Sequence, residues 1–298
     1  MKHAATHIPH FAQAWRTLRS HKLLWLVSGS AALIGTGALL DGVLAAAFIN
    51  FGVILRLPVN TLIAFAAMLV PVFVLAAWTQ NVILHTGFAH AKTKKVKMSH
   101  AFHHGLRRLH ASLAIHLLTG VSAGIVLFFA DLVRTHWFAY GAEKTFVDSL
   151  ATLAAIAILF IIGTLKLLAL VYAAGHGEHA VVSIERAIFL MRRHPFSIIE
   201  HNAAIMIFAI AFLVGGIAAH ALLITLLAPI IFFVNRFSPF FVSPTLITNI
   251  VAAAVFFLTL GTLSVFALSS WTQLVKTLER KAPFPTSIRR LASIYFGS

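Results

Sequence analysis

The sequence contains no cysteine, so it has neither a disulfide framework nor a catalytic thiol. Cysteine usage therefore does not indicate whether the protein is located in an oxidising or a reducing compartment. Charged residues make up 10% of the 298 residues, whereas a soluble domain carries about 25%. A phosphate-binding Gly-Lys-Ser/Thr loop and a Gly-x-Ser-x-Gly nucleophile elbow are also missing. The polar segments are too short for a soluble catalytic domain, so no catalytic residue and no cofactor is predicted.

Hydrophobic residues are abundant in their place, at 60% of the chain, and the mean hydropathy is +0.93. Six runs are apolar over about 20 residues, the length of helix that spans a bilayer core. Backbone groups in hydrocarbon must be satisfied within the segment, so these runs are predicted to be α-helices. The six predicted spans are 23–47, 59–84, 113–133, 150–172, 198–220 and 246–271. The predicted fold class is therefore an all-α integral membrane protein, with residues 1–298 forming a single membrane domain.

The net charge of +15 is distributed unevenly between the loops. Lys and Arg number 4, 1, 6, 2, 3, 1 and 5 in the successive segments outside the six spans. Because cytoplasmic loops carry the excess of Lys and Arg, this alternation predicts that both termini lie inside. A bacterial cytoplasmic membrane fits best. The basic residues lie beside membrane spans, so anionic lipid headgroups are the expected partners and nucleic acid is not.

One stretch is longer than a single crossing needs, because residues 198–234 are almost wholly apolar. Gly215-Gly216 could divide it into two short helices, which would give seven spans but export the positively charged C-terminal segment. We favour a kinked extension or a re-entrant segment over residues 221–234, with Pro229 at the bend. Such a segment must be buried in protein or line a cavity.

Three basic segments that precede the odd-numbered spans share a pattern. They are Phe11-x-x-Ala14-x-x-x-Leu18-Arg19, Phe102-x-x-Gly105-x-x-x-Leu109-His110 and Ile184-x-x-Ala187-x-x-x-Met191-Arg192. Apolar residues at i, i+3 and i+7 form one helix face, which predicts interfacial helices with the apolar face toward the membrane. The predicted units, each an interfacial helix plus a transmembrane hairpin, are 7–90, 98–176 and 181–277.

The ends of the hairpins also match. Trp78-Thr79-Gln80 closes the first hairpin and Trp271-Thr272-Gln273 closes the third, while Tyr172 occupies the related place in the second. All units share one orientation, so they are predicted to be parallel repeats about an axis normal to the membrane. The amphipathic tail 283–298 contains Phe284-x-x-Ser287-x-x-x-Leu291, which looks like the start of a fourth unit.

A family resemblance follows from the longer motifs. They are Trp78-Thr79-Gln80, Lys94-Lys95-Val96-Lys97-Met98-Ser99, Ala101-Phe102, Gly105-Leu106-Arg107-Arg108-Leu109, Ser183-Ile184-Glu185-Arg186-Ala187 and Met191-Arg192-Arg193-His194. They resemble stretches of uncharacterised bacterial multi-spanning proteins. The layout is similar to the membrane domain attached to some glycerophosphodiester phosphodiesterases. The resemblance implies a membrane module and no reaction.

Ionisable residues within spans are candidate functional groups. Asp41 and Asp131 lie late in the first and third spans, where they suit either a cation or proton site, or pairing with Arg56 or Arg134 at the outer interface. Lys166 lies deeper, and either snorkels and pairs with Glu200 or meets a charged substrate. These charges motivate the alternative function, a transporter or channel.

Histidine is unusually frequent, with 17 residues. His100 and His104 are spaced i, i+4, and His176 and His179 flank Glu178, so both pairs are weak metal candidates. The common role of such histidines is interfacial, with a charge that depends on pH. His176, Glu178 and His179 also motivate a third hypothesis, an intramembrane lipid-modifying enzyme.

The leading hypothesis is a non-enzymatic module that organises lipid or partner proteins. The basic residues of the three interfacial segments would hold anionic headgroups, and a partner membrane protein or a second copy of the chain would bind beside them. The expected headgroup residues are Arg16, Arg19, Lys94, Lys95, Lys97, Arg107, Arg108, Arg192 and Arg193.

Overall fold

A computed structural model describes residues 8–21, 24, 28–31, 58–90, 97–136, 142–237 and 244–281. Every regular element in these residues is an α-helix. The helices are α1 (Ile8–Ser20), α2 (Val59–His90), α3 (Met98–Arg107), α4 (Leu109–His136), α5 (Ala142–His176), α6 (Ala180–Arg193), α7 (Pro195–Phe237) and α8 (Pro244–Lys281). The expectation of an all-α protein is confirmed for the part of the chain that is described.

Five of these helices (α2, α4, α5, α7 and α8) are long and apolar enough to cross a membrane, judged by length and composition. Each contains most or all of one predicted span. Most of the first predicted span, 23–47, lies outside the described residues, although residues 24 and 28–31 are helical. The count of six spans therefore stays a prediction, while a chain with several membrane-spanning helices is supported.

The long apolar stretch 198–234 lies within one continuous helix, α7, which has 43 residues. At 1.5 Å per residue this helix is about 64 Å long, well beyond the ~30 Å of a bilayer core. The break at Gly215-Gly216 on which the seven-span alternative depends does not occur in this helix. A Cβ on Gly216 would lie 2.7 Å from Oγ1 of Thr259, so this glycine provides close contact with α8 and does not end a helix.

The core is formed where α2, α5 and α8 meet, and we call these three the returning helices because each closes a hairpin. All three contact one another, through their C-terminal halves. Leu167–Ala174 of α5 are buried without interruption, as are Ala76–Ala77 of α2 and Val265–Leu268 of α8. A Cβ on Gly87 would lie 3.2 Å from Cα of Ser269, so α2 and α8 approach each other closely. This end of the bundle is the better packed one.

The short helices α1, α3 and α6 pack around this core in a cyclic order. Helix α3 packs on α2 and α6 packs on α5, so each follows the returning helix that it contacts in the chain. Helix α1 packs on α8, the last returning helix. The three short helices thus surround one end of the bundle, and we call this arrangement the basic ring.

The apolar face of each short helix is directed into the protein. Ala14, Gly105 and Ala187, the small residues of the shared pattern, are buried, and Phe11, Phe102 and Ile184 pack against the core. A Cβ on Gly105 would lie 2.7 Å from Cγ2 of Val82 and 3.3 Å from the carbonyl oxygen of Trp78. The expectation that this face lies toward the membrane is therefore wrong, because the small residues let each helix approach the returning helix directly.

Local sequence sets the turn between α5 and α6. Helix α5 ends at His176 and is followed by Gly177, whose φ of 75° lies in the left-handed region that favours glycine. Helix α7 begins with Pro195, because proline fits the first helical position where no N–H partner is needed. These two signals fix the position of α6 beside α5.

Candidate functional sites on the basic ring

The basic side chains of the ring are directed outward. Most of the expected headgroup residues that the structure describes are exposed, namely Arg16, Arg19, Lys97, Arg107, Arg192 and Arg193. Arg108 is half-buried, and its guanidinium lies against Gly177 in the turn between α5 and α6. Lys94 and Lys95 lie outside the described residues. Six of the seven described residues are therefore accessible, Arg108 contacts the protein, and the binding of headgroups by these residues stays a prediction.

A charged cluster lies beneath the ring, where α5, α6 and α8 meet. It consists of Tyr172, His176, Glu178, Arg186 and Glu279. Glu178 forms an ion pair with Arg186, and Nε2 of His176 lies 3.6 Å from Oε2 of Glu279. The ring of Tyr172 stacks on His176 with 5.5 Å between centroids. The cluster ties the α5–α6 turn to the end of α8.

Burial raises the pKa of Glu178 to about 7, the nearby carboxylate of Glu279 adds to this rise, and Arg186 opposes it. Glu178 therefore titrates near neutral pH, where most glutamates are fully ionised. The enzyme hypothesis on His176, Glu178 and His179 stays a prediction, and the structure gives these three residues different surroundings. His176 faces Glu279, Glu178 is engaged by Arg186, and His179 is the exposed N-cap residue of α6.

A histidine cluster lies at the contact between α2 and α3. His85 of α2 stacks on His104 of α3 with 3.8 Å between ring centroids, and His100 lies 6.0 Å from His85. Burial lowers the pKa of His104, and Arg108, His100 and Arg107 add to the effect. The His100–His104 spacing therefore places both residues beside a third histidine that the sequence pattern missed.

The described residues contain no group of three or more His, Cys, Asp or Glu side chains that could hold a metal ion. Stacked imidazoles direct their nitrogen lone pairs along roughly parallel planes, not toward a common centre. The predicted metal candidates His100, His104, His176 and His179 are thus not assembled into a site within the described ranges. His104 stacks on His85, while His176 stacks on Tyr172 and lies beside Glu279.

The intramembrane charges have different surroundings. Asp41 lies outside the described residues. Asp131 is half-buried near the end of α4 and makes no ion pair with Arg134. Lys166 is half-buried on α5, close enough to the buried His116 of α4 to act on it electrostatically. The expected pairing of Lys166 with Glu200 stays a prediction.

Several polar contacts between helices escaped the sequence analysis. Gln273 donates from Nε2 to the carbonyl of Gly87 at 3.3 Å, and Lys276 donates from Nζ to the carbonyl of Phe88 at 2.6 Å. Nζ of Lys276 also lies 4.1 Å from the centroid of the Phe88 ring. Because Lys276 was counted only as a charge of the C-terminal segment, its role in joining α2 and α8 could not be seen from periodicity.

An apolar groove of about 430 Å³ lies between α7 and α8. It has no charged residue in its lining, and the Cβ position of Gly215 meets nothing within 4 Å. Its lining includes Phe208, Phe212, Gly215, Leu258, Thr259 and Thr262. Its chemistry suits hydrocarbon and provides no catalytic group.

The fold and these sites define a class: a multi-helix protein with five helices able to span a membrane, and an outward-facing basic ring at one end. Comparison with known proteins finds no matching family model, no similar curated protein and no similar solved structure.

Proposed function

We propose that this protein is a non-enzymatic membrane module of three parallel repeats that holds anionic lipid headgroups at its cytoplasmic end. The repeats are the units 7–90, 98–176 and 181–277, in a six-span chain with both termini inside. The cyclic packing of the short helices on the returning helices supports this triplication, because three equivalent units would make three equivalent contacts. As part of this proposal, we infer that the chain is similar in layout to the membrane domain attached to some glycerophosphodiester phosphodiesterases.

The observation that carries the proposal is the contrast between the two faces of each short helix. The inner face is buried against the core, while Arg16 and Arg19 of α1, Arg107 of α3, and Arg192 and Arg193 of α6 are exposed. At the opposite end, Arg134 and Lys144 are accompanied by Asp131, Glu143 and Asp148. A surface with an excess of positive charge beside anionic headgroups gains about 1 kcal/mol per basic residue. The basic ring is therefore the end that selects lipid.

Native mass spectrometry from nanodiscs tests the proposal. The protein is reconstituted with equal amounts of phosphatidylglycerol and phosphatidylcholine, released, and its retained lipids are counted. We expect retention of the anionic lipid to exceed that of the zwitterionic lipid several-fold, and to fall as salt rises, because exposed charges are screened. Equal retention of the two lipids, or retention that does not change with salt concentration, would contradict the proposal.

A matched pair of variants locates the effect. The ring variant carries Arg16→Gln, Arg19→Gln, Arg192→Gln and Arg193→Gln, and should lose most of the preference for phosphatidylglycerol. The control carries Arg134→Gln and Lys144→Gln, which are exposed at the opposite end, and should keep it. We also propose that the module binds a partner membrane protein or a second copy of the chain, and direct extraction from the native membrane into nanodiscs tests this. A stoichiometric second protein, or a second copy of the chain, would identify what the module organises.

A transporter or channel is the second candidate, and the pair of His116 and Lys166 favours it. His116 is buried in α4 with Phe73 against its ring at 5.5 Å, and Lys166 of α5 is close enough to act on it electrostatically. Two polar groups inside membrane helices are costly unless they serve a function or are paired. If Asp41→Asn, Asp131→Asn and Lys166→Met all leave ion or solute flux in proteoliposomes unchanged, these residues do not form a pathway.

A further inference from the structure

The basic ring exposes large apolar side chains as well as arginines. On α1, Trp15 is 43% exposed and directly precedes the exposed Arg16. On α3, Leu106 is 59% exposed and directly precedes the exposed Arg107. Trp15 and Leu106 occupy the same place in the shared motif, directly after its small residue. An apolar side chain beside an arginine thus recurs on the outer surface of two of the three short helices.

The third short helix has its exposed apolar neighbour further along the chain. Ile188 holds the equivalent motif position on α6, but it is half-buried. Phe196, in the first turn of α7, is 79% exposed and follows the exposed Arg193 by three residues. All three parts of the ring therefore combine an exposed arginine with an exposed apolar side chain that is close to it in the chain.

Phe196 is the first member of an exposed apolar stripe along α7. Residues at steps of three and four lie on one face of a helix. The exposed residues of this face are Phe196, Ile199, Ala203, Ile207, Ile210 and Val214. Helix α7 is long and apolar enough to cross a membrane, so we expect this stripe to contact acyl chains. The stripe begins at the arginines of α6 and continues into the predicted span 198–220.

Leu106 is also close to an apolar surface of a predicted span. Only Arg108 separates α3 from α4, a second helix that is able to cross a membrane. The side chains of Leu117 and Val121 on α4 are exposed. Because α3 is joined so closely to the start of this helix, we expect it to lie at the level of the lipid headgroups.

An anionic phospholipid has two parts that match these neighbours. Its phosphate is attracted to arginine, and its acyl chains solvate apolar side chains as well as another helix does. Tryptophan is enriched at the membrane–water interface, where its ring has one apolar and one polar side, and this suits Trp15. A soluble phosphate would contact only the arginines and leave the apolar side chains in water. The paired residues therefore fit an intact lipid better than a free headgroup.

We propose that the ring holds an anionic phospholipid by both of its parts, with the phosphate on an exposed arginine and an acyl chain against Trp15, Leu106 or Phe196. The inference rests on the proposed function, since it requires the ring to face the headgroup layer, and it names the ligand as an intact membrane phospholipid. The apolar side chains involved are separate from the inner face, which is buried against the core. They lie in hydrocarbon while the arginines lie among headgroups.

Nitroxide labels measure the surroundings of these side chains directly. Single cysteines at positions 15, 106 and 196 of the full-length protein are labelled in nanodiscs of phosphatidylglycerol and phosphatidylcholine. Collisions of each label with oxygen, which concentrates in hydrocarbon, are compared with collisions with a nickel chelate, which stays in water. We expect oxygen to dominate at all three positions. The nickel chelate should dominate at the control positions Ser20 and His100, which are exposed on other faces of α1 and α3.

Uncharged substitutions test whether the apolar contacts retain lipid. The anchor variant carries Trp15→Gln, Leu106→Gln and Phe196→Gln and keeps every arginine. We expect native mass spectrometry to show several-fold less retained phosphatidylglycerol than in the wild type, with an unchanged thermal unfolding midpoint because all three side chains are exposed. The control carries Ser20→Gln and His100→Gln and should retain as much lipid as the wild type at pH 8, where an ordinary histidine is neutral.

A soluble headgroup distinguishes an intact lipid from a free phosphate. Glycerol 3-phosphate carries the phosphate without an acyl chain. Added in large excess, it should leave the retained phosphatidylglycerol in place, because it cannot replace the contact with the apolar side chains. Displacement of the lipid by glycerol 3-phosphate would show that the arginines alone hold it.

The outcomes separate this inference from the proposed function. If the wild type prefers phosphatidylglycerol but the three labels collide mainly with the nickel chelate, the proposed function stands and the two-part contact is wrong. Full retention of lipid by the anchor variant leads to the same conclusion. Labels that are shielded from both reagents would show that protein covers these side chains, which also overturns the inference. Equal retention of both lipids by the wild type would contradict the proposed function and this inference together.

Discussion

The two halves of this bundle differ in how their helices are packed. At the ring end, the returning helices meet one another, and polar side chains bridge neighbouring backbones, as Asn81 does to Gly105 and Ser112. In the other half, the helices expose apolar side chains. The share of buried residues is 61% in the span of α2 but 11% in the span of α7. Contacts between helices therefore stabilise the ring end, whereas the apolar side chains of the other half are available to contact lipid.

The difference shows where sequence constraint should be greatest. Lipid solvates apolar side chains as well as another helix does, so helices in a membrane associate through small residues and interhelical hydrogen bonds. Both features are concentrated at the ring end. Substitutions there should be costly, whereas substitutions of similar size in the apolar half should be tolerated.

The largest expected effect is from Gly105→Leu. Even a Cβ at this position would lie 2.7 Å from Val82, so a leucine must push α3 away from α2. Overpacking of this kind costs about 3 kcal/mol. We expect a clear drop in the thermal unfolding midpoint in detergent. Gly124→Leu is the control, because a Cβ there meets nothing within 4 Å. Equal drops for the two variants would remove the distinction between the halves.

Asn81→Ala should have the next largest effect. The Asn81 amide is fully buried and donates to the carbonyl of Gly105 at 3.3 Å and to Oγ of Ser112 at 3.1 Å. Each lost hydrogen bond costs about 1 kcal/mol. Asn249→Ala removes the same group from an exposed position on α8 and should be nearly silent in the same thermal measurement. If Asn81→Ala left the thermal unfolding midpoint unchanged, polar hydrogen bonds between helices would be unimportant at the ring end.

Glu178→Gln should change how stability depends on pH. The pKa of Glu178 is raised to about 7 by burial, so the folded state binds a proton more tightly than the unfolded state does. Its contribution is fully present below the unfolded pKa of 4.5 and is lost as pH rises toward 7. We expect the thermal unfolding midpoint of the wild-type protein to decrease as the pH is raised from 5 to 8. In Glu178→Gln this decrease should be smaller. Glu185→Gln, at an exposed site on α6, should leave the slope unchanged.

His104→Gln should have the smallest effect, with the opposite sign. The pKa of His104 is lowered by burial and by Arg108, His100 and Arg107, so the folded state favours the neutral imidazole. Its contribution is present above the unfolded pKa of 6.5 and is lost as pH falls below that value. The variant should therefore reduce the loss of stability below pH 6. His103→Gln changes an exposed neighbour and should not.

The sequence predicted the elements of the fold well, and their surroundings less well. Apolar runs gave the positions of five long helices, and the i, i+3, i+7 pattern gave all three short helices. The same pattern could not say which surface the apolar face contacts, because lipid and a helix backbone select the same side chains. Only the small residue at the centre of each motif, such as Gly105, indicated a protein partner.

The polar sites were less accessible to prediction because their members are distant in the chain. Glu279 meets His176, and His85 meets His104, through tertiary packing that periodicity does not encode. Gly215-Gly216 was considered as a break because glycine weakens helices in water, yet Gly216 supports a close contact between α7 and α8. A glycine pair in a membrane helix therefore calls for a search for a neighbouring helix before a break is inferred.

Accessibility of single cysteines tests the central claim most directly, since the chain has no cysteine of its own. The exposed positions Ala12, His103 and Glu185 lie on the three short helices, and Lys144 lies at the opposite end. Each is replaced by cysteine and treated with a membrane-impermeant maleimide. We predict labelling of the first three only in inverted vesicles and of position 144 only in intact cells. If any short helix is labelled from the same side as position 144, the three parallel repeats and their shared basic ring are contradicted.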